Sequence, residues 1–405
     1  MIKITFTGDV MCEHTRLAHF YNNGNYDFTP IFEDVIQIFE QSDYVVANLE
    51  TPLAGSAYGY SEKRYSFNTP DEMADALTKC GVRLVTTANN HVLDRGISGL
   101  ERTLDVLDSK GIQHTGSYRF QDNSQPFITS IGGIRVAFLS YTYGTEACFN
   151  GYYLKKSQFY MVNMTRNQEL SNPIKRFFLV NNSIPAKVFR LLYRITLPKQ
   201  ARLDVSERKE KDAYQIKHLL SDIDYCKNAN VDYIIMCLHC GGQLNDAPTD
   251  YTKKMVNICL SNGVNAVITN HEHRIQGSKL SNDGIVTFCL GNFTSDYGIA
   301  RGEIGSHIEY SALFHLYLDK KDVLNTKCAV TFLKSHMNEN GQIVTTPVSQ
   351  LFRDCDDEIE REALMKDNLW CLNTFFGLSL TEAPMQDEYD AQEYVARDNI
   401  QKAFI

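Results

Sequence analysis

The feature that most constrains the fold is an apolar, β-branched run at residues 266–270 that ends abruptly in histidines. The run reads Ala-Val-Ile-Thr-Asn and is followed by His271, Glu272 and His273. A short run of this composition predicts a buried strand of a parallel sheet. Open α/β sheets bind ligands beyond the carboxyl ends of their strands. Because histidines two apart on an extended backbone point to the same side, this pair favours a divalent-metal site.

Four further apolar runs end in residue types that bind divalent metals. These residues are Asp9 after residues 2–8, Glu50 after 44–49, Asn90 with His91 after 84–89, and His239 after 233–238. Taken singly, the aspartate and the asparagine are also ordinary turn formers, the glutamate is a plausible cap for the segment that follows it, and the histidine is a plausible core residue. Strands of one parallel sheet present their carboxyl ends along one edge, so the joint pattern predicts that the five ends converge on a metal site.

Six short motifs follow one another along about the first 300 residues. They are Gly8-Asp9-Val10-Met11, Asn48-Leu49-Glu50, Ala88-Asn89-Asn90-His91 followed by Leu93-Asp94-Arg95-Gly96, Leu238-His239 followed by Gly241, His271-Glu272-His273-Arg274-Ile275-Gln276, and Leu290-Gly291-Asn292-Phe293. In this order they resemble the motifs of CapA-type proteins of capsule and poly-γ-glutamate synthesis. That family is a branch of the calcineurin-like metallophosphatase superfamily.

The resemblance implies a metal centre of one or two divalent ions, with manganese, iron or zinc expected. The residues that match metal ligands of the superfamily are Asp9, Glu50, Asn90, His239, His271 and His273, with Glu50 at the bridging position. His91 matches the histidine that protonates a leaving group, and Asp94 is placed to orient it. Predicted substrate contacts are Gln276 and Asn292, which match wall residues of the family, and Lys63 and Arg64, which lie in a polar, aromatic loop near the expected edge of the site.

One position departs from the superfamily's pattern. The first motif usually carries histidine two residues after the aspartate, whereas this chain has Met11, as is usual in the CapA branch. A thioether is a poor ligand for hard divalent ions. The first ion would keep only Asp9, Glu50 and His273, and it would bind weakly or not at all unless a side chain at 13–14 replaced the missing ligand.

The alternation of strand and helix patterns is typical of βαβ units. Together with the resemblance, it predicts a metallophosphatase-like, four-layer α/β/β/α sandwich with the metal site at the carboxyl ends of the strands. Residues 1–300 are expected to form this domain, with a basic insertion at about 152–210. Residues 301–405 are expected to complete or extend it with antiparallel, partly exposed strands, a helix, and an acidic tail that is loosely held at residues 382–398.

The expected function is that of a metal-dependent hydrolase of phosphoester or γ-linked amide bonds in capsule, poly-γ-glutamate or exopolymer synthesis. Its substrate would be an anionic polymer or a phosphoester. One alternative, favoured by Met11, is an accessory or polymer-binding protein that keeps the metal ligands without doing chemistry. Another is an unrelated phosphodiesterase on the same scaffold, since a fold does not fix a function. The formal net charge of −9 gives no overall attraction to nucleic acid, which is not expected as a partner.

Cysteine usage and hydropathy favour a cytoplasmic location. The 11 cysteines are scattered, mostly in apolar runs, which suits reduced and buried thiols better than a disulfide framework. The first strand is expected to begin at residue 2, and no signal-peptide pattern precedes it. No apolar run reaches the ~20 residues of a membrane span. The chain is therefore expected to lack the N-terminal anchor that many CapA-like proteins carry.

Residues 155–202 break the charge pattern of the chain. Ten basic residues stand against Glu169 alone, which gives the segment a charge of +9 in a chain of −9. A charge run is usually a solvated face. Here, however, Lys187, Arg190 and Arg194 fall at helical spacing, with apolar residues largely on the other side. That division is typical of a helix lying in a membrane interface.

We predict that residues 155–202 bind anionic membrane headgroups or an acidic polymer. Co-sedimentation with anionic vesicles should weaken as salt rises, because the Debye length shrinks, and neutral vesicles should bind less. No binding, or equal binding to both lipids, would instead favour a protein interface or a core role for the apolar patches.

Overall fold

The structure is a computed structural model that describes residues 1–12, 14–22, 24–61, 66–168, 184–185, 188, 212–281, 284–294 and 307–394. Lys63 and Arg64 lie outside the described residues, and so does most of the basic segment 155–202.

The described residues contain strands β1 to β16 and helices α1 to α9. The strands are β1 Ile2–Val10, β2 Tyr21–Asn22, β3 Asn25–Tyr26, β4 Tyr44–Leu49, β5 Leu84–Thr86, β6 Gln113–Thr115, β7 Phe127–Ile131, β8 Ile134–Thr142, β9 Tyr233–His239, β10 Ala266–Asn270, β11 Ser278–Ser281, β12 Gly284–Thr287, β13 Tyr310–Asp319, β14 Asp322–Met337, β15 Ile343–Pro347 and β16 Tyr389–Asp390. The α-helices are α1 His14–Leu17, α2 Ile36–Glu40, α3 Glu72–Lys79, α4 Gly96–Ser109, α5 Ala147–Asn150, α6 Ala213–Asn228, α7 Asp250–Ser261, α8 Val348–Asp354 and α9 Glu358–Phe376. Short 3-10 helices span Ala18–Phe20, Thr29–Val35, Ser56–Tyr58, Gln121–Asn123 and Lys156–Met161.

Most of these strands form two sheets. Within the described residues, the first sheet has eight strands in the order β15-β14-β13-β1-β4-β5-β6, with β16 paired to β14. In it β1, β4, β5 and β6 run parallel to one another, and β13 is antiparallel to β1. The second sheet has six described strands in the order β11-β12-β10-β9-β8-β7, of which β8, β9, β10 and β12 are parallel. The predicted strands ahead of Asp9, Glu50, Asn90, His239 and His271 are therefore all present.

The two sheets pack face to face with helices on their outer sides. Between the sheets, the rings of Phe6 and Phe138 lie 6.5 Å apart within one apolar core. Outside the first sheet, α3 and α4 pack on β4 and β5 in a second core. Outside the second sheet, α6 and α7 pack on β8 and β9 in a third core. Central strands covered on both faces need apolar residues on both sides, which explains the continuous apolar runs. The predicted four-layer α/β/β/α sandwich is confirmed.

The C-terminal strands continue the first sheet. β13 lies between β1 and β14 and is almost fully buried, and residues 328–333 of β14 are buried too, so the prediction that these strands are partly exposed is wrong. The prediction of a tail loosely held from residue 382 is also wrong for residues 383–394. Tyr389 and Tyr394 are buried in the inter-sheet core, and Glu388 lies 2.7 Å from the Nζ atom of Lys3. Residues 395–405 lie outside the described residues.

His315, in β13, makes the stability of the first sheet depend on pH. Its Nδ1 atom lies 2.9 Å from Thr5 Oγ1 and its Nε2 atom 3.2 Å from Thr331 Oγ1. Burial, with a smaller contribution from Lys3, lowers the pKa of His315 well below its usual value. Above the usual histidine pKa of about 6.5, neither the folded nor the unfolded state binds the proton. Below it the unfolded state binds the proton first, so the free energy of unfolding falls as pH falls.

We therefore predict that His315→Gln reduces this pH dependence. The slope lost should approach about 1.4 kcal/mol per pH unit below pH ~6.5. Denaturant unfolding of both proteins across that range measures it. Parallel curves for the two proteins would show that His315 does not titrate differently on unfolding.

Candidate metal centre

Carboxylate, amide and imidazole side chains meet where the carboxyl ends of strands from both sheets come together. Asp9 lies in β1, Glu50 follows β4, His239 ends β9, and His271 follows β10. These four side chains are buried, as are Asn90 and His91 in the turn after β5. The structure thus brings the predicted residues of five strand ends into one cluster, although the strands belong to two sheets and not to the one parallel sheet that the argument from the sequence assumed.

One group of possible ligands surrounds the Nε2 atom of His239. This atom lies 3.2 Å from Glu50 Oε1 and 2.7 Å from Asn90 Oδ1. It also lies 3.2 Å from the Nδ1 atom of His271. Glu50, His239 and His271 each offer one ligand atom, and these atoms lie within 4.8 Å of one another.

A second group surrounds the Nδ1 atom of His273. This atom lies 3.3 Å from Asp9 Oδ2 and 3.9 Å from Glu50 Oε2. It also lies 2.8 Å from Asn292 Oδ1. Asp9, Glu50 and His273 likewise offer ligand atoms within 4.8 Å of one another. Glu50 belongs to both groups and faces each with a different oxygen, as a bridging carboxylate would.

The chemistry of this cluster fits divalent cations. Asp9 Oδ2 and His271 Nε2 are buried without a hydrogen-bond partner, although buried polar atoms are usually paired. Burial lowers the pKa of His239 to about 3 and that of His271 well below its usual value. Both imidazoles are therefore neutral near neutral pH, the state in which histidine binds metal.

Asp9 is ionised in this environment. Burial alone would raise the pKa of its carboxyl group, but the imidazole of His273, 3.3 Å from Oδ2, outweighs burial and lowers it. Asn48 also lowers it by donating a hydrogen bond of 2.6 Å from Nδ2 to Asp9 Oδ1. A carboxylate and neutral imidazoles form a donor set that zinc, manganese and iron accept.

The backbone at the histidine pair is not extended, contrary to the sequence-based argument. His271 has φ 125° and His273 has φ 61°, both in the region that side chains other than glycine rarely adopt. The two imidazoles belong to different ligand groups. Hydrogen bonds from Leu244 N to Glu272 O and from Gln276 N to Cys289 O hold the turn.

His91 stands beside the cluster with a carboxylate behind it. Its Nδ1 atom lies 2.8 Å from Asp94 Oδ2, and its Nε2 atom lies 3.9 Å from Glu50 Oε1. Asp94 Oδ2 also accepts a 2.7 Å hydrogen bond from the backbone N–H of Phe67, whose ring packs 4.1 Å from the imidazole. The predicted pairing of His91 with Asp94 is therefore present in the structure.

Asn48 was not predicted to take part in the site. Besides its bond to Asp9, its Nδ2 atom lies 3.3 Å from His239 Nδ1, and its Oδ1 atom accepts a 2.9 Å hydrogen bond from Thr86. Asn48 therefore contacts one ligand candidate of each group, Asp9 and His239. Asn48 lies in β4, two residues before Glu50, and residues two apart along a strand direction share a face, which is the signal that could have identified it.

Of the four predicted substrate residues, the structure describes Asn292 and Gln276. Asn292 lies against His273 as described above. Gln276 is buried and donates a 2.8 Å hydrogen bond from Nε2 to the carbonyl oxygen of Asn245, so its contact with substrate stays a prediction. Lys63 and Arg64 lie outside the described residues, so their contact with substrate also stays a prediction.

The close approach of Glu272 explains why glycine stands at position 241, in the motif that follows His239. A Cβ atom there would lie 1.9 Å from the Glu272 carboxylate, and the residue has φ 152°. Glycine at this position lets the loop after β9 approach the turn that carries the two histidines.

These features define a class of protein: a four-layer α/β sandwich with a candidate divalent metal centre at its strand ends. The chain belongs to the family described as bacterial capsule synthesis protein PGA_cap, which matches residues 3–297. The resemblance to CapA-type proteins is thereby confirmed.

Two curated relatives bear the CapA name. The chain is 22% identical over 313 residues to a capsule biosynthesis protein CapA of Bacillus anthracis, covering 76% of this chain and 63% of that protein. It is 22% identical over 283 residues to a PGA biosynthesis protein CapA of Bacillus subtilis, covering 69% of this chain and 60% of that protein. The chain therefore spans less than two thirds of either relative.

Solved structures give weaker similarities. A sulfate thiohydrolase SoxB from Thermus thermophilus has a TM-score of 0.36 at 11% identity, covering 86% of this chain and 47% of that one. A 5'-nucleotidase from Candida albicans has a TM-score of 0.39 at 11% identity, covering 91% and 57%. Both TM-scores lie below 0.5, so these similarities add nothing to the fold that the sheets define. In the described part of the chain, no helix is long and apolar enough to cross a membrane.

We predict that His239→Ala loses most of the bound divalent metal while the chain stays folded, because this imidazole lies at the centre of one ligand group. Metal analysis of the purified protein, with circular dichroism as the folding control, measures the change. Unchanged metal content would remove His239 from the site.

Proposed function

We propose that this protein is a metal-dependent hydrolase of capsule or exopolymer synthesis that cleaves a phosphoester or γ-linked amide bond. The observation that supports this most is the His91–Asp94 pair placed directly beside the candidate ligands. A site that only bound metal would not need a buried histidine oriented by its own carboxylate and directed at the cluster.

In this proposal, one ion is held by Glu50, Asn90, His239 and His271, and another by Asp9, Glu50 and His273. Manganese, iron or zinc suits such donors. When bound, these ions lower the pKa of water and stabilise negative charge on a phosphoryl or acyl oxygen.

The residues of the chain supply orientation and proton transfer. Asp94 accepts the hydrogen bond from His91 Nδ1, so the proton on that nitrogen stays in place. The Nε2 atom, which faces the cluster, is then the atom that exchanges a proton with substrate. As the imidazolium, His91 donates its Nε2 proton to the leaving oxygen or nitrogen and becomes the neutral imidazole, with the Nδ1 proton still held by Asp94, a role worth about 10²–10⁴-fold in rate.

Membership of a capsule synthesis family supports a polymer as substrate. An anionic polymer such as poly-γ-glutamate, or a phosphoester, is the proposed substrate, and a cytoplasmic site of action is proposed from the cysteine pattern. Peripheral contact with an anionic membrane through residues 155–202 belongs to the same proposal. Arg166 does not take part in that contact, because it is 3% exposed and lies 5.2 Å from the ring centre of Tyr251.

A non-catalytic accessory role is the second candidate. The observation that favours it is Met11, which stands two residues after Asp9 and has a side chain that binds hard ions poorly. Turnover distinguishes the two roles, since an accessory protein binds metal and polymer without cleaving either substrate type.

We predict that His91→Asn keeps its bound metal and loses turnover by a factor of about 10²–10⁴, because proton donation is lost while the ligands remain. Hydrolysis of a chromogenic phosphodiester and of a γ-glutamyl amide, each with added manganese, measures turnover. Metal content is determined on the same samples. Equal turnover by the two proteins, or none by either, would favour the accessory role.

A further inference from the structure

The second ligand group has one protein donor fewer than the first. Its carboxylate and imidazole donors are Asp9, Glu50 and His273. Three protein donors are one fewer than a closed tetrahedral site uses. Met11, although nearby in sequence, offers only a thioether.

We propose that Asn292 is the fourth protein ligand of the second ion and binds it through its side-chain amide oxygen. This assignment rests on the proposed metal centre and extends it to a residue predicted only as a wall of the substrate site.

The first argument is the parallel between the two groups. In the first group an amide oxygen, that of Asn90, lies 2.7 Å from the central imidazole nitrogen, while Glu50 Oε1 lies 3.2 Å from the same nitrogen. In the second group the amide oxygen of Asn292 lies 2.8 Å from the nitrogen of His273, and Glu50 Oε2 lies 3.9 Å away. Each group thus combines imidazole, a Glu50 oxygen and an asparagine oxygen.

The second argument is that the backbone fixes Asn292 beside Asp9. Asp9 N donates to Gly291 O at 2.9 Å, and Phe293 N donates to Asp9 O at 3.0 Å. The backbone N–H of Met11 also donates to Thr294 Oγ1 at 3.2 Å. Residues 291–294 are therefore paired alongside the end of β1, with Asn292 opposite Asp9.

Gly8 makes this close pairing possible. A Cβ atom at Gly8 would lie 2.0 Å from the carbonyl oxygen of Gly291, which is far inside contact distance. The glycines of the first and last motifs thus let the segment that carries Asn292 approach β1.

The third argument is the state of the donor atoms. Asp9 Oδ2 is buried without a hydrogen-bond partner, 3.3 Å from His273 Nδ1. An oxygen left in this way beside an imidazole and an amide oxygen suits a cation. Carboxylate and amide oxygens are hard donors that suit manganese better than a thioether does.

A different role for Asn292 is to orient His273 from outside the ligand set. Loss of such an outer hydrogen bond usually costs about 10–100-fold in metal affinity. Loss of a direct ligand should cost more, and a carboxylate at the same position should restore binding. The two roles therefore differ in a measurement that does not depend on activity.

The experiment titrates metal-free protein with Mn²⁺ by calorimetry, with metal analysis of the loaded samples. Wild type should bind two ions per chain. Asn292→Leu should keep one ion at unchanged affinity and lose the second by more than about 100-fold, beyond the usual outer-sphere effect. Asn292→Asp should bind both. Asn150→Leu is the matched control, because Asn150 contacts Asp94 on the other side of the site and should leave both ions bound.

Each outcome decides the assignment. Two ions of unchanged affinity in Asn292→Leu, a loss of only 10–100-fold, or loss of the second ion in a folded Asn292→Asp would overturn it. One ion in wild type would also overturn it, yet would leave the proposed hydrolase intact with the first ligand group. No ion in wild type would instead reject the metal centre itself.

Discussion

The structure around the site depends on two carboxylates, Asp9 and Glu50, that are fully buried between two sheets. A buried charge is costly unless an opposite charge or hydrogen bonds compensate it. His239 and His271 cannot supply that charge near neutral pH, because burial lowers their pKa values. Divalent cations bound among these groups would supply it. The same burial that makes the site costly without metal keeps its imidazoles neutral and able to bind metal.

The backbone that carries the site is itself held in costly conformations at the strand ends. His271 and His273 both have positive φ values, and such conformations typically cost about 1–3 kcal/mol each. They persist because the turn is held by hydrogen bonds from Leu244 and Gln276. Gly8 and Gly241 contribute in a different way, since their missing Cβ atoms allow Gly291 and Glu272 to approach. Strain and close approach thus coincide at the point where the two sheets meet.

The sequence predicted most of this arrangement, for a physical reason. Apolar runs such as the one ahead of Glu50 identify central strands, and parallel strands leave little freedom in where their ends point. What the sequence could not show is which distant residues become neighbours in the fold. Asn48 looks like an ordinary strand-end residue until Asp9 and Thr86 are placed against it. The tail at 383–394 is acidic in sequence, yet the burial of Tyr389 and Tyr394 decides its position.

The role of each histidine at the site follows from the groups around its two ring nitrogens rather than from its sequence position. His91 has its Nδ1 atom engaged by a carboxylate, which leaves Nε2 to exchange a proton. His239 has its Nε2 atom among possible ligands, while Asn48 lies on the side of Nδ1. His273 faces an amide oxygen and two carboxylates with a single nitrogen. Three histidines at the strand ends of the two sheets can therefore serve as proton donor, ligand of one ion and ligand of another, because the partner at each nitrogen differs.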